Sequence, residues 1–438
     1  MDYWRSLTSL SLVHGPLHLG LMAASAVALL VLLSLRRTRA WWIRWVPVAV
    51  ASAGTLVGLV WLWLHVARPF PDPLPLVVLA WIGVGFLGIA LLAAGWRRQH
   101  WFVRVLGIGA AVLLVGGAAD GIDTVYGAYP SVSTALQLPP RDGVSASSVL
   151  PRTPGPAAAT LTGPLSATWR PPADLPSHGA VIEMPIPAPR SGFVARPAWV
   201  YLPPAYLTSP RPSLPVLMLV GGQPGSPRDW LDGGQVAQRM DAWAAAHGGL
   251  APVVIMPDGL GAQMANPMCM DSALGKADTY LSQDVAAWAV ETLQVDPDHA
   301  HWAVGGWSYG GTCALQLATA HPDLFRTFYD ASGQQKPTLG DDARTVAAAF
   351  GGNQAAFDAV DPLHELAARS YPGTAGYLIV GSSDPTYRAQ AQVVASAATA
   401  AGMTITYRER PGKHSWGVSG PGLEDALPWL TTRMGLMQ

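Results

Sequence analysis

The stretch of this chain best suited to chemistry runs from His301 to Gly311, HWAVGGWSYGG, and carries a G-x-S-x-G pattern in Gly306-Trp307-Ser308-Tyr309-Gly310. A serine hydroxyl is a poor nucleophile unless a sharp strand-to-helix turn thrusts it out of the backbone. Small residues two places on either side let strand and helix approach closely enough for that turn. An apolar run, Ala303 to Gly305, precedes the motif, and Thr312 to Ala320 (TCALQLATA) follows with a helix pattern free of breakers. These flanks separate the motif from a chance Gly-Ser-Gly loop, which a chain with 46 glycines could supply anywhere.

A nucleophilic serine needs a base, and the base needs a carboxylate to orient it; in folds that present serine this way the chain order is nucleophile, acid, base. Asp384 follows a strand pattern, Tyr377 to Val380, through Gly381-Ser382-Ser383, and a loop at the carboxyl end of a parallel strand is where such sites collect. Only one of the 11 histidines, His414, lies beyond it, in Pro411-Gly412-Lys413-His414-Ser415-Trp416. Asp384 could instead be a turn residue before Pro385, and Asp330, Asp361 and Asp258 are other strand-end carboxylates. The oxyanion formed on attack needs two aimed donors. The backbone N–H of Tyr309 is one, and an N–H of the loop Gly221-Gly222-Gln223-Pro224-Gly225 supplies the other, Gln223 ahead of Gly222; Gly221 or Gly222 could instead serve only to let the backbone turn, and Pro224 has no N–H.

The elements that position these residues alternate. GAVIEMPIPA and RPAWVYLPPAY read as strands joined at Arg190-Ser191-Gly192, and Leu214 to Val220 reads as a buried strand. Further strands are expected at Pro252 to Met256, Ala303 to Gly305, Phe325 to Tyr329, Gly376 to Val380 and Thr404 to Arg410. Helices are expected at Ser282 to Val295, Arg388 to Ala401 and Leu423 to Met434. Such alternation implies a mostly parallel sheet flanked by helices.

The first 120 residues are different in kind. The charged fraction of the 438-residue chain is 13%, about half of what soluble proteins carry, and 50% of it is hydrophobic. Four apolar runs account for this: Leu10 to Leu35, Val46 to Ala67, Leu76 to Trp96, and Val105 to Ala119 with its flanks. Each approaches the ~20 residues of a spanning helix. Arg36, Arg37, Arg39 and Arg44 separate the first two runs, and Arg97, Arg98 and Arg104 the last two. The middle loop has only Arg68 against Asp72. The positive-inside rule therefore puts the Arg-rich loops in the cytoplasm and everything after about residue 120 outside. Trp41, Trp42, Trp45, Trp96 and Trp101 flank the runs as interfacial anchors would.

The expected organisation is a transmembrane four-helix region at 1–125, a Pro/Ala-rich tether at 126–178, and an extracytoplasmic domain at 179–438. A net charge of −1 offers no basic surface for nucleic acid. His14, His18 and His65, with Asp120 and Asp123, would mark the outer ends of the spans. Paired imidazoles with carboxylates suit a divalent ion or a lipid headgroup; interfacial side chains reaching for water are the plainer reading. Cys269 and Cys313 both fall in the outer domain, where an even count in an oxidising compartment favours a disulfide over two buried thiols.

Four pieces of sequence resemble the esterase D-like branch of the α/β-hydrolases, the group that includes the actinobacterial mycolyltransferases. They are Val200-Tyr201-Leu202-Pro203-Pro204; Thr279-Tyr280-Leu281 followed by Asp284-Val285; Gly306 to Gly311 with His321-Pro322-Asp323-Leu324-Phe325; and His414-Ser415-Trp416. The likeness covers roughly 180–435 and not the apolar runs. The loop Val220-Gly221-Gly222-Gln223 lacks the His-Gly that many relatives carry. The resemblance implies an α/β-hydrolase domain and ester hydrolysis or acyl transfer without a cofactor. With four spans beside it, the expected substrate is an acyl ester of a lipid or envelope glycolipid at the outer membrane face; a mycolyltransferase-like acyl transfer uses the same acyl-enzyme. A non-catalytic membrane sensor and a peptidase are weaker readings, and no protein partner is implied.

Overall fold

The computed structural model describes residues 7–97, 99–150 and 163–438; Arg98 and residues 151–162 of the tether lie outside the described residues. The chain divides after Leu138 into two compact units.

In the first unit four helices are long and apolar enough to cross a membrane: α1 (Gly15–Leu33), α2 (Trp41–Ala67), α3 (Leu76–Gly95) and α4 (Trp101–Tyr126). Proline sets two of their beginnings, Pro16 in the first turn of α1 and Pro75 just before α3, where its missing N–H costs no intrahelical bond. α4 stops at Gly127, whose φ of +66° suits glycine. Besides Leu114 and Asp120, its buried face is made of Gly107, Ala110, Ala111, Gly117, Ala118 and Gly121, and such small side chains let helices approach closely. One expected anchor is a core residue instead. Trp41 is fully buried and its indole N–H donates to the Leu33 carbonyl at 2.6 Å, whereas Trp42, Trp45, Trp96 and Trp101 are exposed. Trp41 opens a wide π-helical turn, Trp41–Trp45, and that turn rotates its ring into the bundle.

The second unit is built on an eight-stranded sheet of order β1-β2-β4-β3-β7-β8-β9-β10. Its strands are β1 (Ala180–Met184), β2 (Ala198–Leu202), β3 (Val216–Val220), β4 (Val253–Met256), β7 (Ala303–Trp307), β8 (Thr327–Ala331), β9 (Ala375–Gly381) and β10 (Thr404–Arg410). A two-residue-per-strand hairpin, β5 (Asp271–Ser272) with β6 (Gly275–Lys276), stands apart. β2 runs antiparallel to β1 and β4, and every pairing from β4 to β10 is parallel. β3, β4, β7, β8 and β9 are wholly buried, as continuous apolar strands covered on both faces should be. The helices packed around them include α5 (Val236–Ala246), α6 (Ala286–Leu293), α7 (Tyr309–Ala320), α8 (Pro385–Ala400) and α9 (Trp416–Arg433). This is an α/β-hydrolase architecture.

Several elements depart from the expected bounds, α8 among them, which begins at Pro385 rather than Arg388. β8 begins at Thr327 rather than Phe325, because Phe325 closes the turn after α7 with its N–H on the His321 carbonyl at 3.0 Å. The helix expected from Ser282 opens on a π-helical stretch, Tyr280–Val285. α9 starts at Trp416 and runs through Pro421 and Pro428. Burial of Trp416, Val418, Leu423, Leu427 and Leu430 outweighs the hydrogen bonds those prolines remove.

The two sheet edges are protected differently. β10 carries Arg408, Glu409 and Arg410 on a partly exposed strand. Along β1, Val181 donates to the Asp142 carbonyl at 2.8 Å and its own carbonyl accepts from Val144 at 2.9 Å, so residues 142–144 cover that edge.

Candidate active site

Ser308 joins β7 to α7 at φ +56° and ψ −117°, a region that non-glycine residues occupy only under constraint. The constraint comes from its neighbours. A side chain at Gly306 would overlap the Gly310 carbonyl carbon, and one at Gly310 would overlap the Val220 carbonyl oxygen, so glycine is needed on both sides of the turn. The Ser308 N–H is held by the Ala331 carbonyl at 2.9 Å, which locks the turn against β8.

His414 and Asp384 reach the same point from two other loops at the carboxyl ends of the parallel strands. His414 Nε2 lies 2.9 Å from Ser308 Oγ, and its Nδ1 lies 3.2 Å from Asp384 Oδ2. The imidazole is held between the rings of Tyr387, 4.0 Å away, and Trp307, 5.3 Å away. Asp384 also does what its place before Pro385 suggested: it caps α8, with Oδ1 accepting from the Tyr387 N–H at 3.3 Å. One carboxylate thus serves the helix with one oxygen and the histidine with the other.

The Tyr309 N–H is the first of α7 and belongs to the amides that no intrahelical carbonyl takes up. Its phenol is anchored on the far side, donating to the Gly259 carbonyl and accepting from the Cys269 N–H, both at 2.9 Å. Gly222 passes beside the motif: a Cβ there would stand 3.0 Å from the Trp307 ring and 3.6 Å from the Trp307 carbonyl oxygen. Gln223 follows it, with its side-chain amide donating to the Met264 carbonyl at 3.3 Å. Cys269 and Cys313 form a disulfide with Cα atoms 5.4 Å apart, linking the loop after β4 to the helix of Ser308.

The remaining strand-end carboxylates have other partners. Asp361 caps the short helix Pro362–Ala368. Asp330 is buried at the end of β8, and burial pushes its carboxyl up to about 7 despite a hydrogen bond from Gly333. Asp258 pairs with Arg196. Burial works against its charge, but the hydrogen bonds and charge of Arg196 prevail and hold the carboxyl below its ordinary value.

Of the five residues at the outer ends of the spans, the structure brings together only His18 and Asp120, at 2.7 Å. His14 is not on the helix face with His18, because Gly15 and Pro16 begin α1 after it; its ring bonds to Ser11 Oγ at 3.1 Å. His65 bonds to the Trp61 carbonyl at 2.9 Å, and Asp123 accepts from the Tyr129 N–H at 2.9 Å. The reading of these five as one metal site is therefore corrected. Among the described residues no three His, Cys, Asp or Glu side chains gather closely enough to hold a metal ion.

Residues 195–430 match the family described as "Putative esterase". The chain belongs to this esterase family, a group of serine hydrolases. An uncharacterized protein of Corynebacterium glutamicum is 34% identical over 398 residues, 89% of this chain and 88% of the relative, so the likeness extends into the four apolar helices. Among solved structures, a ferulic acid esterase superposes with a TM-score of 0.51 at 20% identity, covering 59% of this chain and 99% of that one. An S-formylglutathione hydrolase from Agrobacterium tumefaciens does so with 0.48 at 16%, covering 59% and 97%.

Within this serine hydrolase the groups that hold the loop after β3 were not foreseen from sequence. Asp229 accepts from Ser226 N–H at 2.9 Å and from Ser226 Oγ at 2.7 Å; burial pushes its carboxyl up to about 6, although the Ser226 bonds oppose this. The signal was present as Ser226-x-x-Asp229, a capping-box spacing. Arg196 gave none: besides Asp258, its guanidinium donates to the Gly225 carbonyl at 3.0 Å, a meeting of three loops distant in sequence.

Proposed function

We propose that this chain is a membrane-anchored serine esterase acting on an acyl ester of a lipid or envelope glycolipid at the outer face of the membrane, through Ser308, His414 and Asp384. The observation that carries the proposal is the 2.9 Å contact between His414 Nε2 and the hydroxyl of a serine held at positive φ on a strand-to-helix turn. Ser308 Oγ attacks the ester carbonyl as His414 Nε2 takes its proton. Asp384 at Nδ1 fixes the tautomer and stabilises the imidazolium. The negative oxygen is received by the N–H of Tyr309 and by an N–H of the Gly222-Gln223 segment. His414 returns the proton to the departing alcohol oxygen and leaves Ser308 acylated. In the second half His414 activates the acceptor, water for hydrolysis or a sugar hydroxyl for transfer, and the acyl group departs. No cofactor enters these steps.

The location rests on the four apolar helices and on seven arginines in two connections and the first turns of the helices they lead into, against one in the third connection. A fluorophosphonate probe followed by a panel of lipid esters, with and without sugar acceptors, tests the reading. Labelling that survives Ser308→Ala, or a panel left intact by the unsubstituted chain, overturns it.

A further inference from the structure

Three loops at the same end of the strands as Ser308 end in apolar tips. The loop between β1 and β2 presents Val194, 83% exposed; the loop after β4 presents Met264, 48% exposed; and the β5–β6 hairpin presents Leu274, 42% exposed. Phe193 gathers them: a Cβ on Gly261 would lie 3.3 Å from its ring and one on Gly275 3.1 Å from it, so both loops close on the same aromatic ring. No charged residue occurs in 193–195, 259–265 or 272–275. The hairpin turn is Ala273-Leu274, where a water-facing turn favours Asn, Asp or Gly.

This rim is wired to the loop proposed to receive the oxyanion. Gly225 donates to the Gln263 carbonyl at 3.0 Å, and the Gln223 side chain donates to the Met264 carbonyl at 3.3 Å. Arg196 ties all three strands of the connection, with its backbone N–H on Asp258 at 2.8 Å and its guanidinium on both Asp258 and Gly225. Exposed apolar tips around a polar, hydrogen-bonded frame mark an interaction surface rather than a defect of packing.

We infer that this rim docks on a lipid surface and admits an acyl chain to Ser308. The occupant follows from the chain itself. Four helices suited to a bilayer are joined to this unit by the segment between Tyr126 and Ala180, so a bilayer is the apolar surface always within reach. The inference rests on the proposed lipid-ester substrate, and the experiment separates the two.

The full chain is reconstituted in phosphatidylglycerol nanodiscs with Val194→Cys carrying an environment-sensitive fluorophore. Asp323→Cys, in the loop that leads into β8 at the opposite end of the strands, serves as the reference. Bromine-bearing acyl chains should quench the label at 194 and spare that at 323; equal quenching, or none at 194, overturns the inference. In parallel, the rate on a long-chain fluorogenic ester in phosphatidylglycerol vesicles is divided by the rate on a soluble short-chain ester. Val194→Asp with Leu274→Asp should lower this ratio at least ~10-fold, and an unchanged ratio also overturns it. Quenching at 194 without cleavage of either ester sinks the esterase reading alone; cleavage of the soluble ester without quenching sinks the rim alone.

Discussion

Two histidine–aspartate pairs in this molecule make an instructive contrast. His18 and Asp120, in the first unit, lie 2.7 Å apart with Asp120 buried; His414 and Asp384, in the second, lie 3.2 Å apart. Among the described residues the shorter pair has no hydroxyl at its other nitrogen, whereas His414 has Ser308 Oγ at 2.9 Å. A histidine–carboxylate hydrogen bond by itself ties helices together. It becomes a base for chemistry when a third group stands opposite, on a backbone that cannot turn it away.

That contrast is open to direct attack. Ser308→Ala should lower ester turnover by ~10⁶, while His18→Ala should leave it within a factor of about three; a comparable loss from both, measured on purified chain with a soluble ester, would erase the distinction. Asp384→Asn should cost ~10⁴ in turnover by presenting the wrong tautomer partner. Asn still caps α8, so the melting temperature should hold, whereas Asp384→Ala should lose the cap as well, about 1 kcal/mol. Equal melting temperatures for the two variants would remove the second duty of Asp384.

The frame around Ser308 gives two smaller tests. The disulfide closes 44 residues of chain, which in the chain-entropy view is worth up to about 4 kcal/mol. Cys269→Ser with Cys313→Ser should lower the denaturant midpoint of the second unit accordingly, and an unchanged midpoint would deny the bridge that role. Asp330 lacks a histidine partner, and burial raises its carboxyl to about 7 from an unfolded value near 3.9. A raised carboxyl stabilises the fold fully below about pH 4 and loses that contribution as pH rises through about 7. Asp330→Asn should remove this dependence, so that by pH 8 the variant is the more stable by roughly a few kcal/mol. Parallel melting curves for both proteins from pH 4 to 8 would refute it.

Much of this arrangement was legible before any coordinates. The Ser308 motif carries its own geometric demand in Gly306 and Gly310, and chain order singled out His414 and put Asp384 first among the carboxylates. Apolar runs show through without context because length and composition alone are the signal. What stayed hidden depends on contacts across long separations. Arg196 meets Gly225 only after β2, β3 and β4 have paired, and nothing local in either stretch announces it. His14 and His18 misled because spacing of four implies one helix face only if the helix has already begun, and Pro16 starts it after His14. α9 was placed seven residues late, since two prolines and three glycines mask a helix that tertiary burial sustains.

The strip at 142–144 that closes the β1 edge has a practical corollary for anyone seeking the second unit free of its apolar helices. Starting the polypeptide at Gly179, where the first strand pattern begins, would strip β1 of those partners and leave Val181 offering its N–H and carbonyl to any passing strand. Such a version would self-associate through sheet extension, whereas one that starts at Pro139 keeps the guard that the native tether provides.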